Sequence, residues 1–454
     1  MMKTSFCILA ALAPLTWAQY TNKDIHEDVV VIGGGPSGTN AAVNLRDRGT
    51  SVVVVEKQAV LGGNVHSYLV PGTTTSVEYG VHGLEDAPTL RSWYRRFNLS
   101  LTEYPAAAPG PTIYADFAKG TNLSTFSPPT PNFDPYLKQL DKYPFLLEGV
   151  DKIPDPVPSD LYLPYRDFVQ KYGLQDEVFA TYVAGQGLGH LLDQPTLYIM
   201  LYFDRLYTES IVGVPRTAYV PKDADQQEIF RRAQTELGTD VLYSSTVQSA
   251  TRSSTGVSLT VKTLTGVRTI HVKKMLVTIR PTEDNMTPFG LDTQETHSFS
   301  QFGFTGWYVA LVNNTGFTEG TTYQNVGPNQ PYNLSVLPSV YTFTPTKAPG
   351  IFWVRYGSTN QLSADKVQGD IIDTVNRLRP LGKGQHNGPP QVIAYSSHTP
   401  FQLTVSADAI KNNFYRNLSM LQGHRSTFYS GISFIAPHHT SVLNLTQEIL
   451  PRLS

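Results

Sequence analysis

The sequence predicts an α/β protein. One parallel sheet is assembled from separate stretches of chain, and an α+β domain is inserted between them. Three observations predict it. Strand, glycines, helix, strand and acid follow one another between Val29 and Glu56. Helix, hairpin and buried strand return between Asp223 and Ile279, after a long irregular stretch. A short strand and a helix close the chain between Ser426 and Leu450.

The first of these is the most specific. Val29-Val-Val-Ile32 reads as a buried strand, and Gly33, Gly35 and Gly38 follow with G-x-G-x-x-G spacing. Gly33 permits a tight turn, Gly35 lets the backbone approach a pyrophosphate, and Gly38 lets the next helix pack on the strand. That helix is expected over Ser37–Arg48, with Ala41, Ala42 and Leu45 on one face and Gly49 as its stop. Val52–Val55 is a second buried strand. It ends in Glu56, where an acid bonds the ribose hydroxyls of an adenine dinucleotide. A plain glycine-rich turn would not need that acid, so the order predicts a Rossmann-type dinucleotide site.

The next residues choose the dinucleotide. Leu61-Gly62-Gly63-Asn64-Val65-His66-Ser67 resembles the G-G-R-x-x-S/T segment of flavoproteins of the amine oxidase and phytoene desaturase type. The resemblance implies that Gly62 and Gly63 lie against pyrophosphate and flavin, with Asn64 and Ser67 beside them. Asn64 stands where arginine is usual and can still donate a hydrogen bond. Val77-Glu-Tyr-Gly-Val-His82-Gly83 resembles the second flavin-proximal loop of these proteins. NAD enzymes need neither segment, so FAD is the expected cofactor.

A chain of 454 residues has room for two domains. Only 16% of its residues are charged and its net charge is −2, which gives nucleic acid no basic footprint. Lys3, the apolar run Phe6–Leu15 and Thr16-Trp-Ala18 read as a cleavable secretory signal over residues 1–18, too short to span a bilayer. No membrane association is expected after cleavage. Cys7 is the only cysteine and would leave with the signal, so neither a disulfide nor a cysteinyl flavin link is expected. Sequons at Asn98, Asn122, Asn285, Asn313, Asn333, Asn417 and Asn444 fit a secreted protein.

The expected domain order follows from composition and pattern. The FAD-binding domain takes 27–97, 220–290 and 395–454, and the substrate domain takes 98–219 and 291–394. Prolines between Asn98 and Ser159 oppose long regular elements. Leu163–Asp204 reads as helical pieces, with Gly185-Gln-Gly187-Leu-Gly189 as a loop over the substrate space. Asp225 and Glu228 read as a capping box for a helix through Leu237. Strands are expected over Val241–Val247, Val257–Lys262, Arg268–Val272 and Met275–Ile279. The resemblance to amine oxidase-type flavoproteins implies that the segment around Val247 places backbone beside adenine. Phe299–Val312 and Tyr332–Tyr356 are aromatic and strand-rich, as the wall of a substrate cavity would be. Gly382–Gly388 reads as a surface loop. Gly431 stands in the position of the A-G-[DE] ending of such flavoproteins, with Ile432 in place of the acid. The following helix would point its N-terminus at the flavin. His438-His439 lacks partners with metal-ligand spacing, and no metal is expected.

Glu56 through Ser67, Glu78-Tyr-Gly-Val-His82, Thr278-Ile-Arg-Pro-Thr282, Thr305-Gly-Trp-Tyr-Val-Ala-Leu-Val312 and Phe428-Tyr-Ser-Gly431 resemble the β-cyclopiazonate dehydrogenase family. These are secreted-type fungal FAD oxidoreductases, several of which act in secondary metabolism. The resemblance implies oxidation of a small organic molecule, in some members with ring closure. His82 is the first candidate for catalysis, because its loop should reach the flavin ring; the alternative is a structural histidine bonded to backbone. His398, in Tyr395-Ser-Ser-His398, is the second, with the same alternative. The strand around Gly306-Trp307-Tyr308 has no lysine of the kind many amine oxidases keep near the flavin. Two other functions stay open. A polyamine or amino-acid oxidase would carry acids or an arginine in its cavity. A secreted flavin-binding protein without turnover would account for the changes at Asn64 and Ile432.

Overall fold

Two seven-stranded sheets organise the chain in the computed structural model, which describes residues 24–104, 110–214, 217–222 and 225–454. The expected signal segment with Cys7, and Pro105, Pro109 and Asp223, lie outside the described residues.

The first sheet grows from the strand Ile25–Ile32. It pairs in parallel with Val52–Val55 on one side and Gly266–Val277 on the other, and Val241–Leu242 extends the sheet beyond Val52–Val55. The strand Gly266–Val277 divides its far edge. Its first half pairs with the antiparallel strand Gly256–Thr263, and Met275–Val277 pairs in parallel with Thr427–Tyr429. Three distant stretches of chain, 25–55, 241–277 and 427–429, therefore meet in one sheet. Buried on both faces, its central strands read as unbroken apolar runs. The helix Pro36–Asp47 packs between this sheet and the C-terminal helix His439–Ile449, which explains why almost its whole length is buried.

Some local expectations change. Arg268–Val272 and Met275–Ile279 are one continuous strand, because Lys273 and Lys274 reach outward to Asp28 and to the Ser454 carbonyl. Val241–Val247 is broken after Leu242, where Ser244 adopts φ 47°. The capping box at Asp225 and Glu228 does not form. Gln227 occupies the N-cap position of the helix Glu228–Leu237 without a side-chain cap bond, while Asp225 binds Ser76 and Arg231. A capping box forms instead at Asp292 and Glu295.

The second sheet runs Gln391–Ser397, Gly306–Asn313, Phe352–Ser358, Ser339–Pro345, Thr322–Asn325, Thr112–Asp116 and Thr121–Asn122. The expected return to the nucleotide sheet at 395 falls inside the first of these strands. Alternation sorts the side chains. Tyr308, Ala310, Phe343, Val354 and Tyr356 pack under the helix Ala364–Leu378 with Val367, Ile371 and Val375. Trp307, Val309, Tyr341, Trp353 and Arg355 take the opposite face. The helical pieces Tyr165–Tyr172, Val178–Ala184, Thr196–Tyr202 and Arg205–Ile211 lie in the expected stretch or just beyond it. Among the described residues no helix is long and apolar enough to cross a membrane.

Candidate active site

The two glycine motifs meet backbone to backbone. A Cβ on Gly63 would lie 2.9 Å from the Gly35 α-carbon, and the Gly62 N–H donates to the Gly34 carbonyl at 2.8 Å. Gly33 has φ 102°, and a Cβ on Gly38 would sit on the Gly33 carbonyl. The helix Pro36–Asp47 begins here without a side-chain cap and without an acid in its first turn. Its free N–H groups and dipole suit an anion. Thr278 holds the cradle from behind, its hydroxyl donating to the carbonyls of Ile32 and Gly33 at 2.9 and 3.0 Å. Gly431, φ 108°, lies against the Thr278 carbonyl, so the last segment closes on the same point.

Glu56 is buried, with one carboxylate oxygen accepting from Gly34 N–H at 2.5 Å and the other from Gln58 N–H at 2.7 Å. The chain beside it is Leu242–Ser245: Ser245 N–H donates to the Glu56 carbonyl, and burial pushes the Tyr243 phenol up to about 12, with Glu56 adding to the shift. Val247 lies farther along, in the next strand, where it pairs with Val261.

The two flavin-type loops also interlock. A Cβ on Gly80 would collide with the Asn64 carbonyl, and Tyr79 N–H donates to the His66 carbonyl. Ser67 donates to Glu78 at 2.6 Å, and Glu78 also accepts from Gln226 N–H. The Ser67 hydroxyl thus braces one loop against the other.

His82 and His398 lie at two ends of one aromatic chain. His82 stacks on Trp353 at 3.9 Å, and the Trp353 indole donates to the Tyr79 carbonyl at 3.1 Å. Tyr79 stacks on His66 at 5.3 Å, and His66 lies 5.5 Å from His398 and bonds Ser396. The Nε2 atoms of His82 and His398 are buried without a protein partner. Burial, with Arg355 adding to it, holds the His82 imidazole down to about 3. Burial, with His66 and Arg280 adding to it, holds His398 well below its ordinary value. Both rings are neutral at pH 7 and have an unused nitrogen.

His82, Tyr202, Tyr207, Arg280 and Arg355 are half-buried. In the Gly185–Gly189 loop, Gly187, φ 90°, packs on Phe401 and Trp307. At the other end His438 donates to the Tyr202 carbonyl at 2.6 Å and lies 3.7 Å from Glu85. Burial raises nearby Asp204 to about 6. His438 caps the helix His439–Ile449, and Thr440 bonds the Glu85 carbonyl.

Sequence reasoning did not single out Thr278, Tyr243, His66 or Arg355 as site residues. Thr278 and Arg355 stood inside family-like or aromatic segments, but only the sheet pairing shows what they face.

The NAD(P)-binding Rossmann-like domain family matches residues 31–97. The chain is 37% identical to FAD-dependent oxidoreductase pigF of Monascus ruber over 429 residues, 94% of this chain and 91% of the relative. It is 31% identical to beta-cyclopiazonate dehydrogenase of Aspergillus flavus over 464 residues, 99% of this chain and 98% of the relative. Among solved structures, the CLA-producing fatty acid isomerase from P. acnes has a TM-score of 0.71 at 18% identity, covering 94% of this chain and 98% of that one. Cyclohexylamine oxidase from Brevibacterium oxydans has a TM-score of 0.64 at 16% identity, covering 95% and 99%. At such identities the solved structures share the fold. Sequence relatives aligned along nearly the whole chain go further, and with the doubled glycine cradle they make this protein an FAD-dependent oxidoreductase of the β-cyclopiazonate dehydrogenase family.

Proposed function

We propose that the enzyme abstracts a hydride from a small organic molecule, a fungal secondary-metabolite intermediate, with oxygen or another small acceptor finally taking the electrons. The flavin, when bound, supplies the two-electron acceptor. The chain's own residues supply the rest. Gly33, Gly35, Gly38, Gly62 and Gly63 would admit the pyrophosphate, and at Gly38 and Gly63 a Cβ would collide with backbone. Glu56, braced by Gly34 and Gln58, takes the ribose. The Asn64 amide and the backbone at Gly431 lie beside the flavin end. His82 or His398 accepts the proton that leaves the substrate as it is oxidised, and the aromatic wall excludes water and orients the C–H bond.

The observation that carries this reading is the pair of neutral, enclosed imidazoles along an aromatic wall. The test is anaerobic stopped-flow absorbance of the yellow holoenzyme. A candidate metabolite should bleach the flavin, and NADPH alone should not, since the sequence holds one dinucleotide fingerprint and FAD takes it. Bleaching by NADPH at a turnover-competent rate would make the protein a reductase or monooxygenase. Flavin that no organic donor reduces would leave a flavin-binding protein without turnover.

One observation favours the amino-acid oxidase reading: an arginine, Arg355, shares the Trp353 indole with His82. It speaks against a polycationic substrate.

A secretory location belongs to the same proposal. Four of the sequon asparagines, Asn98, Asn122, Asn285 and Asn417, are exposed. The mature chain should begin near Gln19 and lose mass on deglycosylation. An unglycosylated product starting at Met1 would overturn this.

A further inference from the structure

Three metal-ligand side chains meet at the start of the first sheet, away from the glycine cradle. His26 and His271 are direct register partners in the parallel pair of Ile25–Ile32 with Gly266–Val277. Their imidazoles stack at 4.9 Å, with planes 20° apart. Asp24 stands two residues before His26, and its Oδ2 lies 3.6 Å from His271 Nε2. One ligand atom from each of the three lies within 4.8 Å of the other two. Asp24 and His26 are exposed and His271 is half-buried. Among the described residues neither ring makes a hydrogen bond, and no lysine or arginine pairs with Asp24. Lys273, on the same face as His271, is held by Asp28 at 2.6 Å.

Two imidazoles and a carboxylate suit a borderline divalent ion such as zinc, whereas magnesium and calcium take oxygen ligands. Ligand atoms on a tetrahedral zinc ion stand about 3.4 Å apart, so rotation of the side chains closes this set with the strands at rest. Asp292, Glu295 and His424 come as close together. There, however, Arg252 and Arg425 already neutralise Glu295, and Asp292 caps a helix. At Asp24 no side-chain cation takes the place of a metal. His26 is seven residues before Gly33 (33 − 26), about 23 Å along an extended strand. An ion held there touches neither the pyrophosphate cradle nor the histidines of the candidate active site.

We propose that Asp24, His26 and His271 form a structural site for one divalent transition-metal ion of the zinc class. The ion staples the segment entering the first strand to the strand Gly266–Val277 and leaves at least one coordination position to water. An ion that binds only the folded chain stabilises it by mass action. No spacing in the sequence marks the set, because Asp24 and His26 meet His271 only through strand pairing.

The test is equilibrium dialysis of the chelator-stripped, tag-free holoenzyme against zinc, with metal counted per chain and melting temperature followed in parallel. The wild type should take up one saturable ion per chain, and its melting temperature should rise with zinc. A large excess of magnesium should not displace the ion. His26→Ala, His271→Ala and Asp24→Asn should each weaken binding by at least about 10-fold, since loss of a residue that merely orients a ligand already costs about 10- to 100-fold. Each variant should keep its FAD content and lose the zinc-dependent rise in melting temperature. His386→Ala, at an exposed histidine elsewhere, should bind zinc as the wild type does. Absence of saturable uptake by the wild type would overturn the proposal without any variant. So would uptake that persists in both histidine variants, uptake undiminished in Asp24→Asn, or displacement by magnesium.

Discussion

The Glu56 carboxylate accepts the Gly34 N–H at 2.5 Å, so the acid and the glycine turn form one unit before any ribose reaches them. Glu56→Ala should weaken FAD binding by about 1–3 kcal/mol, the scale of a lost charged hydrogen bond. Reconstitution of the apoprotein followed by flavin fluorescence measures this. Unchanged affinity would remove Glu56 from the ribose site.

His82 should serve the reductive step and not FAD retention. His82→Ala should slow flavin reduction by about 10²–10⁴, the usual worth of a positioned acid or base, with flavin still bound. Burial first and Arg355 second hold the His82 imidazole down to about 3, so it is neutral throughout the ordinary range. The wild-type kred/Kd for a substrate that does not itself titrate should therefore be flat from about pH 5 to 8. An unchanged rate in the variant would return His82 to a purely structural role.

Glu177 makes stability fall with rising pH. It is fully buried, neither carboxyl oxygen has a partner, and burial raises its pKa from 4.5 to about 8. Between those values the unfolded chain has lost the proton and the folded chain keeps it. Stability thus falls through that window at up to about 1.4 kcal/mol per pH unit and levels off above it. Glu177→Gln carries no such proton, and its melting temperature should gain on the wild type from pH 5 to pH 8. Parallel pH dependence in the two proteins would refute the assignment.

Arg252 and Glu295 form a two-pronged ion pair at 2.6 and 2.7 Å, both side chains fully buried, with Arg425 and Tyr429 also on the carboxylate. It ties the hairpin strand Thr246–Ser253 to the helix Thr293–Phe299. Glu295→Ala should cost about 3–5 kcal/mol, because it leaves Arg252 charged and enclosed. Replacing both partners with apolar residues should cost less than the single change. Denaturant unfolding of the two variants decides it, and a loss near zero for the single change would show that water reaches Arg252.

What the sequence determined by itself was the local architecture of the nucleotide end. Val29–Ile32, Gly33, Gly35, Gly38 and Val52–Glu56 are legible because steric freedom at glycine and apolar runs act between near neighbours. The helix began at Pro36 rather than Ser37, a one-residue difference. The tertiary structure alone decided which distant groups those elements present to one another. Ser67 reads as a cofactor residue, and only the fold shows that its hydroxyl also reaches Glu78. Lys273-Lys274 reads as a strand break until both lysines are seen to reach outward from one strand. Nothing in the local sequence marks Glu177 as enclosed; the packing of distant elements buries it. Arg355 sits in an alternating run whose two faces look alike in the sequence. Pairing with Gly306–Asn313 and Ser339–Pro345, and the cover of Ala364–Leu378 on the other side, decide that Arg355 and Trp353 face away from that helix. Alternation says which residues share a face, but only long-range packing says what that face meets.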